Sequence, residues 1–238
     1  MTRGSVDPEQ VSGDTVGVVP LFDDVQGCEK FAQRVLSFAS GRSSRRVETA
    51  DDEVLYVLAG RGTGTVGEAH VPLEPGLGVF VRHGMEWSVE ADEELDILSV
   101  LIRDPDPAPG PGYAVVDLGS EARKSATAAR QFVLGVWAEA GCPSVTQFIG
   151  FVPPGRAPDH FHRYDEVLYI LTGRGTLHID GEEAPLSPGA CVFLPATLVH
   201  SLENTGDREL ELLGVFRPSG SPAEAYYPDG TPAAYPEE

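Results

Sequence analysis

Three histidines and one glutamate are spaced as ligands of a single metal ion. His160 and His162 stand two apart in GRAPDHFHRYDEVLYILTG, residues 155–173, a stretch of strand character. Both rings therefore leave the same face, about 6.7 Å apart along the backbone, which suits two ligands of one ion. Glu166 follows four residues after His162, and a straight strand would carry it about 13 Å onward. The chain is expected to bend within residues 163–165 and bring that carboxylate back beside the imidazoles. A second stretch, GACVFLPATLVHSLEN at 189–204, sets Gly189, Pro195, His200 and Asn204 at intervals of six, five and four residues, with His200 as the fourth ligand. Neutral imidazoles with one carboxylate suit Fe(II), Mn(II), Ni(II), Co(II) or Zn(II) without selecting among them. Four protein ligands on an octahedral ion leave two positions open, for two substrate oxygens or for one substrate atom and O2. A redox-active ion brings these two together, whereas an inert one acts as a Lewis acid on an enolisable carbonyl.

The two stretches resemble the signature motifs of the cupin superfamily, G-x5-HxH-x3,4-E-x6-G and G-x5-PxG-x2-H-x3-N. His160, His162, Glu166 and Gly173 match the first, although Gly155 stands one residue too close to His160. Gly189, Pro195, His200 and Asn204 match the second, with Thr197 in the place of its second glycine. The departures concern loop shape and leave each ligand position filled. The resemblance implies an all-β protein of jelly-roll barrels. It also implies one divalent transition metal per chain, Fe(II) or Mn(II) favoured over Ni, Co or Zn, held by His160, His162, Glu166 and His200. Cupins with this ligand set include quercetin-type dioxygenases and oxalate decarboxylases. The activity implied is that of a metal-dependent enzyme, foremost an oxygenase of the dioxygenase type acting on a small organic molecule. A non-redox isomerase, cyclase or lyase is the alternative among enzymes, and a non-catalytic metal or small-ligand binding protein the alternative outside them. Gln147, Arg156 and Tyr164 are candidates for substrate contact by position, Arg156 because its guanidinium could meet a carboxylate in a bidentate pair. No catalytic acid or base is assigned.

The elements that must hold these groups occur twice. EVLYVLAGRGTG at 53–64 returns as EVLYILTGRGTL at 166–177, identical at nine of twelve positions. Pro75-Gly76 and Val79-Phe80 return at the same shift as Pro188-Gly189 and Val192-Phe193, and LDILSVL at 95–101 is echoed by LELLGVF at 210–216. Strand-length pieces repeated over this distance indicate duplication of a whole domain. The expected layout is a disordered arm at 1–14, a first barrel at 15–104, a Pro-rich linker at 105–112, a second barrel at 113–218 and a tail at 219–238. SEARKSATAAR, at 120–130, reads as a short helix or a loop. Tyr226, Tyr227 and Tyr235 could pin the tail across a barrel.

Carried back into the first copy, the ligand positions fall on Val47, Thr49, Glu53 and Trp87. A single carboxylate does not hold a divalent ion, so the first barrel is expected to be metal-free, with Trp87 filling the space of an imidazole.

Composition narrows the partners. A net charge of −20 opposes nucleic acid and anionic membrane surfaces. Cys28, Cys142 and Cys191 lie far apart with no CxxC spacing, pointing to a reducing compartment. The N-terminus shows no apolar signal segment and no run long enough to span a bilayer, so the cytoplasm is the expected location. A small-molecule substrate is the expected partner, and pairing into a homodimer is compatible with barrels that have open edges.

Overall fold

Glycine and proline at short intervals divide the chain into brief strands, and the apolar residues between them fold it into two barrels. The computed structural model describes residues 8–23 and 27–233. The first half contains β1 (Glu9–Gln10), β2 (Val16–Phe22), β3 (Phe31–Phe38), β4 (Gly41–Arg42), β5 (Asp52–Ala59), β6 (Gly62–Val66), β7 (Ala69–Leu73), β8 (Leu77–Val81), β9 (Trp87–Ala91) and β10 (Leu95–Ile102). After them come β11 (Tyr113–Asp117), β12 (Lys124–Ser125), β13 (Gln131–Leu134), β14 (Thr146–Val152), β15 (Gly155–Arg156) and β16 (Asp165–Thr172). The chain closes with β17 (Gly175–Ile179), β18 (Glu182–Leu186), β19 (Cys191–Leu194), β20 (His200–Asn204) and β21 (Leu210–Arg217).

Each barrel is a large sheet facing a small one. The first pairs the order β1-β2-β3-β10-β5-β8-β11 with β4-β9-β6-β7, and the second pairs β12-β13-β14-β21-β16-β19 with β15-β20-β17-β18. The repeated segments become β5 with β6 and β16 with β17, the chain crossing from large to small sheet at Gly60 and Gly173. At Gly173 φ is +87°, and a Cβ there would lie 2.9 Å from the Leu210 Cα, so only glycine fits this corner.

Alternation along the large-sheet strands sends side chains to two different cores. Leu168 and Ile170 of β16 face the interior of the second barrel, with Phe148, Leu202 and Phe216. Val167 and Tyr169, between and beside them, face the first barrel. Tyr169 and Leu213 there join Tyr56 and Leu98, while Val167 and Val215 join Val54 and Val100. Strands buried on both faces read as continuous apolar runs, which is why LDILSVL and LELLGVF show no alternation.

Three expectations change. The strand at 113–117 belongs to the first barrel's sheet, since β11 pairs with β8 from Tyr113↔Val81 to Asp117↔Leu77. The Pro-rich segment runs back along that barrel, where Arg82 donates to the Ala108 carbonyl (3.1 Å) and its N–H to Gly112 O (2.8 Å), so β11 closes an otherwise open edge. Within the supposed disordered arm, Glu9 and Gln10 pair with Val18 and Gly17, while residues 1–7 lie outside the described residues. SEARKSATAAR forms no helix but a turn around the two-residue β12.

The tail returns across the second barrel. Phe161 and Tyr226 exchange backbone hydrogen bonds of 2.9 Å each, and their rings stack at 5.5 Å. Tyr235 lies outside the described residues.

Candidate metal centre

His160 and His200 are placed by the backbone: each N–H donates to the other's carbonyl, at 3.0 and 2.9 Å. His162 follows on the same segment, and the chain then bends at residues 163–164 before entering β16. The ring centroids lie 5.0 Å (His160–His162), 4.6 Å (His160–His200) and 5.3 Å (His162–His200) apart. One nitrogen from each ring falls in a group whose members all lie within 4.8 Å of one another.

The free nitrogens are fixed by what the others touch. His160 Nδ1 is 2.8 Å from Pro158 O, His162 Nδ1 2.7 Å from Glu224 O, and His200 Nδ1 2.9 Å from Leu198 O. A carbonyl only accepts, so each Nδ1 must carry the proton and each Nε2 must offer its lone pair. This is the ligand arrangement in which outer hydrogen bonds orient imidazoles for a metal. Burial, assisted by positive neighbours, lowers the pKa to about 2 for His160 and about 3 for His162, and burial also lowers that of His200. All three rings are held neutral, which a metal requires. The donor set therefore fits a borderline divalent ion.

Glu166 stands apart from this group. It lines the same cavity, on the interior face of β16 with Leu168, but its oxygens lie outside the cluster of imidazole nitrogens. Burial raises its pKa to about 8 against the opposing pull of Arg130. The structure thus assembles three of the four expected ligands and sets the fourth along the wall.

Thr197, in the motif's second glycine position, has φ of +69°, and its N–H donates to His162 O at 2.7 Å. Asn204, the last residue of β20, donates to the Val152 and Arg208 carbonyls at 2.8 and 2.7 Å.

Of the substrate-contact candidates only Tyr164 lines the cavity, stacked on His162 at 4.6 Å and on Phe216 at 3.9 Å. Gln147 points the other way from Phe148 on β14 and donates to Leu55 O at 3.2 Å, joining the two barrels. Arg156 is outside the cavity too: it pairs with Asp159 at 3.0 Å on the surface. Two contributors gave no signal in the sequence. Arg130 follows an Ala-rich turn without any motif, and Pro222, Ala223 and Ala225 reach the cavity from the tail. The space is small, about 60 Å³.

In the first barrel the surviving carboxylate is engaged by other groups. Glu53 accepts from Arg34 (3.1 Å), Trp87 Nε1 (3.0 Å) and the Ser99 hydroxyl. Trp87 is buried, as its place opposite His200 suggests, and packs edge-on against Phe38.

Comparison with known proteins agrees with this layout. The cupin domain family matches residues 148–216. An oxalate-binding protein of Thermotoga maritima is 39% identical over 66 residues, 27% of this chain and 54% of that protein. A quercetin 2,3-dioxygenase of Bacillus subtilis is 45% identical over 47 residues, 19% of this chain and 14% of the enzyme. The chain thus spans little more than half of the first relative and a small part of the second. Over almost its whole length it superposes on an oxalate decarboxylase of Bacillus subtilis, with a TM-score of 0.74, 13% identity, and coverage of 93% of this chain and 78% of that one. At that identity the likeness is one of fold.

Proposed function

We propose, from the premise that this chain is a two-barrel cupin, that its C-terminal barrel is a metal-dependent active site for a small organic molecule and that its chemistry is of the dioxygenase type. The observation that carries this is the convergence of three neutral imidazoles, each with Nδ1 tied to a carbonyl and Nε2 free. His160, His162 and His200 hold the ion, and Glu166 supplies the carboxylate of the set. A carboxyl kept near pKa 8 by burial favours its protonated form until a cation enters beside it. A bound Fe(II) or Mn(II) would supply open positions for substrate and O2. The protein's share is to orient the ligands, to stack Tyr164 beside His162, and to confine the substrate to a cavity of about 60 Å³. The dioxygenase relative supports the oxygen chemistry. The smallness of the cavity, about 60 Å³ with tail residues in its wall, favours a second reading, a non-redox lyase or isomerase, because a polyphenol is larger than that space.

The expected result for chelator-stripped protein reloaded with Fe(II) or Mn(II) is one ion per chain by elemental analysis. His162→Ala should lose it and Thr49→Ala should keep it. Two ions per chain, or equal loss from both variants, would assign the barrels differently. Oxygen uptake by the iron-loaded form with a panel of small enols, enediols and catechols supports the oxygenase reading. Turnover without oxygen uptake establishes the second.

A further inference from the structure

Arg130 lines the second barrel's cavity together with the three histidines and Glu166. Among the described residues its guanidinium makes one hydrogen bond, from Nε to Thr127 O at 3.1 Å, and no carboxylate lies within ion-pairing distance. That is unusual in a chain with 37 acidic residues against 17 basic ones. Arg34 and Arg217, similarly half-buried, are matched by carboxylates: Arg34 meets Glu48 and Glu53, and Arg217 meets Asp106 and two carbonyls. Burial lowers the pKa of Arg130, and its charge helps to push those of all three imidazoles down. An unmatched guanidinium in a low-dielectric pocket is unfavourable in the free protein.

The backbone holds it there all the same. Ala128 and Ala129 both adopt left-handed φ, +58° and +57°, in a turn closed by Ala126 N–H on Arg130 O at 2.8 Å. Thr127 pins the same turn to the tail through Ala233 O at 2.9 Å. Two consecutive alanines in that region are costly, so the turn that presents Arg130 is held in place by its surroundings.

We propose that Arg130 is the ligand-recognition residue of this barrel and that the ligand is a small carboxylate, gripped by the guanidinium while its other end faces the histidine cluster. Charge and size both point there. Three neutral imidazoles, one Glu166 carboxylate, one guanidinium and a divalent ion leave the site two positive charges in excess, which an anion offsets. A planar fork of N–H donors matches a carboxylate in a bidentate pair. A space of about 60 Å³ admits only a few heavy atoms. The assignment rests on the metal centre proposed above.

The test uses the full chain loaded with Mn(II), titrated calorimetrically with oxalate, pyruvate and lactate, and with uncharged oxamide and inorganic phosphate as controls. At least one carboxylate should bind and raise the melting temperature. Arg130→Met and Arg130→Lys should weaken that binding by at least about tenfold, the scale of one charge-assisted hydrogen bond, with metal content unchanged. A second readout separates recognition from scaffolding: without ligand, Arg130→Met should melt above the wild type, because it removes a half-buried cation that has no carboxylate partner among the described residues. The proposal is overturned if carboxylate affinity survives in Arg130→Met, if oxamide binds as tightly as oxalate, if phosphate alone binds, or if Arg130→Met melts lower. A wild-type chain that takes up no metal fails the reading of the centre instead. One that takes up its ion but binds no carboxylate fails this inference alone.

Discussion

A comparison of Arg34 with Phe148 shows how two copies of one barrel come to differ. Arg34 lies across from Ser99 in the β3–β10 register, as Phe148 lies across from Gly214 between β14 and β21. In the first barrel the guanidinium and the Ser99 hydroxyl turn to the retained carboxylate of Glu53. In the second, the ring of Phe148 fills the space above Gly214, where an added Cβ would meet it at 2.2 Å, and the carboxylate of Glu166 has no ion pair among the described residues. The first barrel thus carries its cation as a side chain, whereas the second offers a cluster of three neutral imidazoles beside an unpaired carboxylate. Burial works against the charge on Arg34, yet Glu53 and Glu48 hold its pKa above the ordinary value. Arg34→Met should therefore strand Glu53, itself 2% exposed, and destabilise the chain by about 3–5 kcal/mol. Adding Glu53→Gln should recover most of that loss, because the uncompensated charge goes with it. Urea denaturation midpoints of the two variants check both statements, and an Arg34→Met chain as stable as the wild type would refute this account of the first barrel.

The tail does two things, lining the cavity and orienting the imidazole of His162. Pro222, Ala223 and Ala225 form part of the cavity wall, Glu224 O receives the Nδ1–H of His162, and Tyr226 bridges to Phe161. A chain ending at Gly220 should keep its β-sheet circular dichroism but bind metal about 10- to 100-fold more weakly, the usual effect of losing a partner that orients a ligand. Metal titration with a competing chelator measures it; unchanged affinity would mean that His162 is oriented without the tail. Here the limit of the sequence is plain. The HxH pair, His200 and the duplicated EVLY segments carry chemistry and period in their spacing, so the barrels and the convergence of three histidines could be read directly. Gln147 could not be placed, because a strand apolar on both faces gives no alternation to say which face looks into the cavity. Nor could Arg130 or the tail, since their roles depend on segments that lie far apart in the chain, 30 or more residues for Arg130 and more than 60 for the tail. β11 was assigned to the wrong barrel because a proline-rich stretch marks the end of pairing but says nothing of which sheet the next strand joins.

The two barrels form one folding unit, because what looks like a boundary in the chain is crossed by strands, cores and polar contacts. Val167, Tyr169, Leu213 and Val215 of the second barrel are buried against Val54, Tyr56, Leu98 and Val100 of the first. Gln147 reaches Leu55 O, Lys30 reaches Asp165 at 2.7 Å, and β11 departs to the first barrel's sheet. Exposing even four of those side chains forgoes roughly 6–12 kcal/mol, taking about 1.5–3 kcal/mol for each. That approaches the whole stability of an ordinary domain, about 5–15 kcal/mol. A fragment beginning at Tyr113 should therefore fail to fold and should hold no metal, although it contains His160, His162, Glu166 and His200. In the full chain, Trp87 reports on the first barrel's core and Trp137 on the second half. Fluorescence of Trp87→Phe and Trp137→Phe variants should follow one coincident denaturation curve, along which the metal is also released. Two separated curves, or a fragment that folds and binds its ion, would show that the metal barrel stands alone. The expected result gives the first barrel a physical role that needs no ligand: it buries the outer face of the sheet whose inner face carries Glu166.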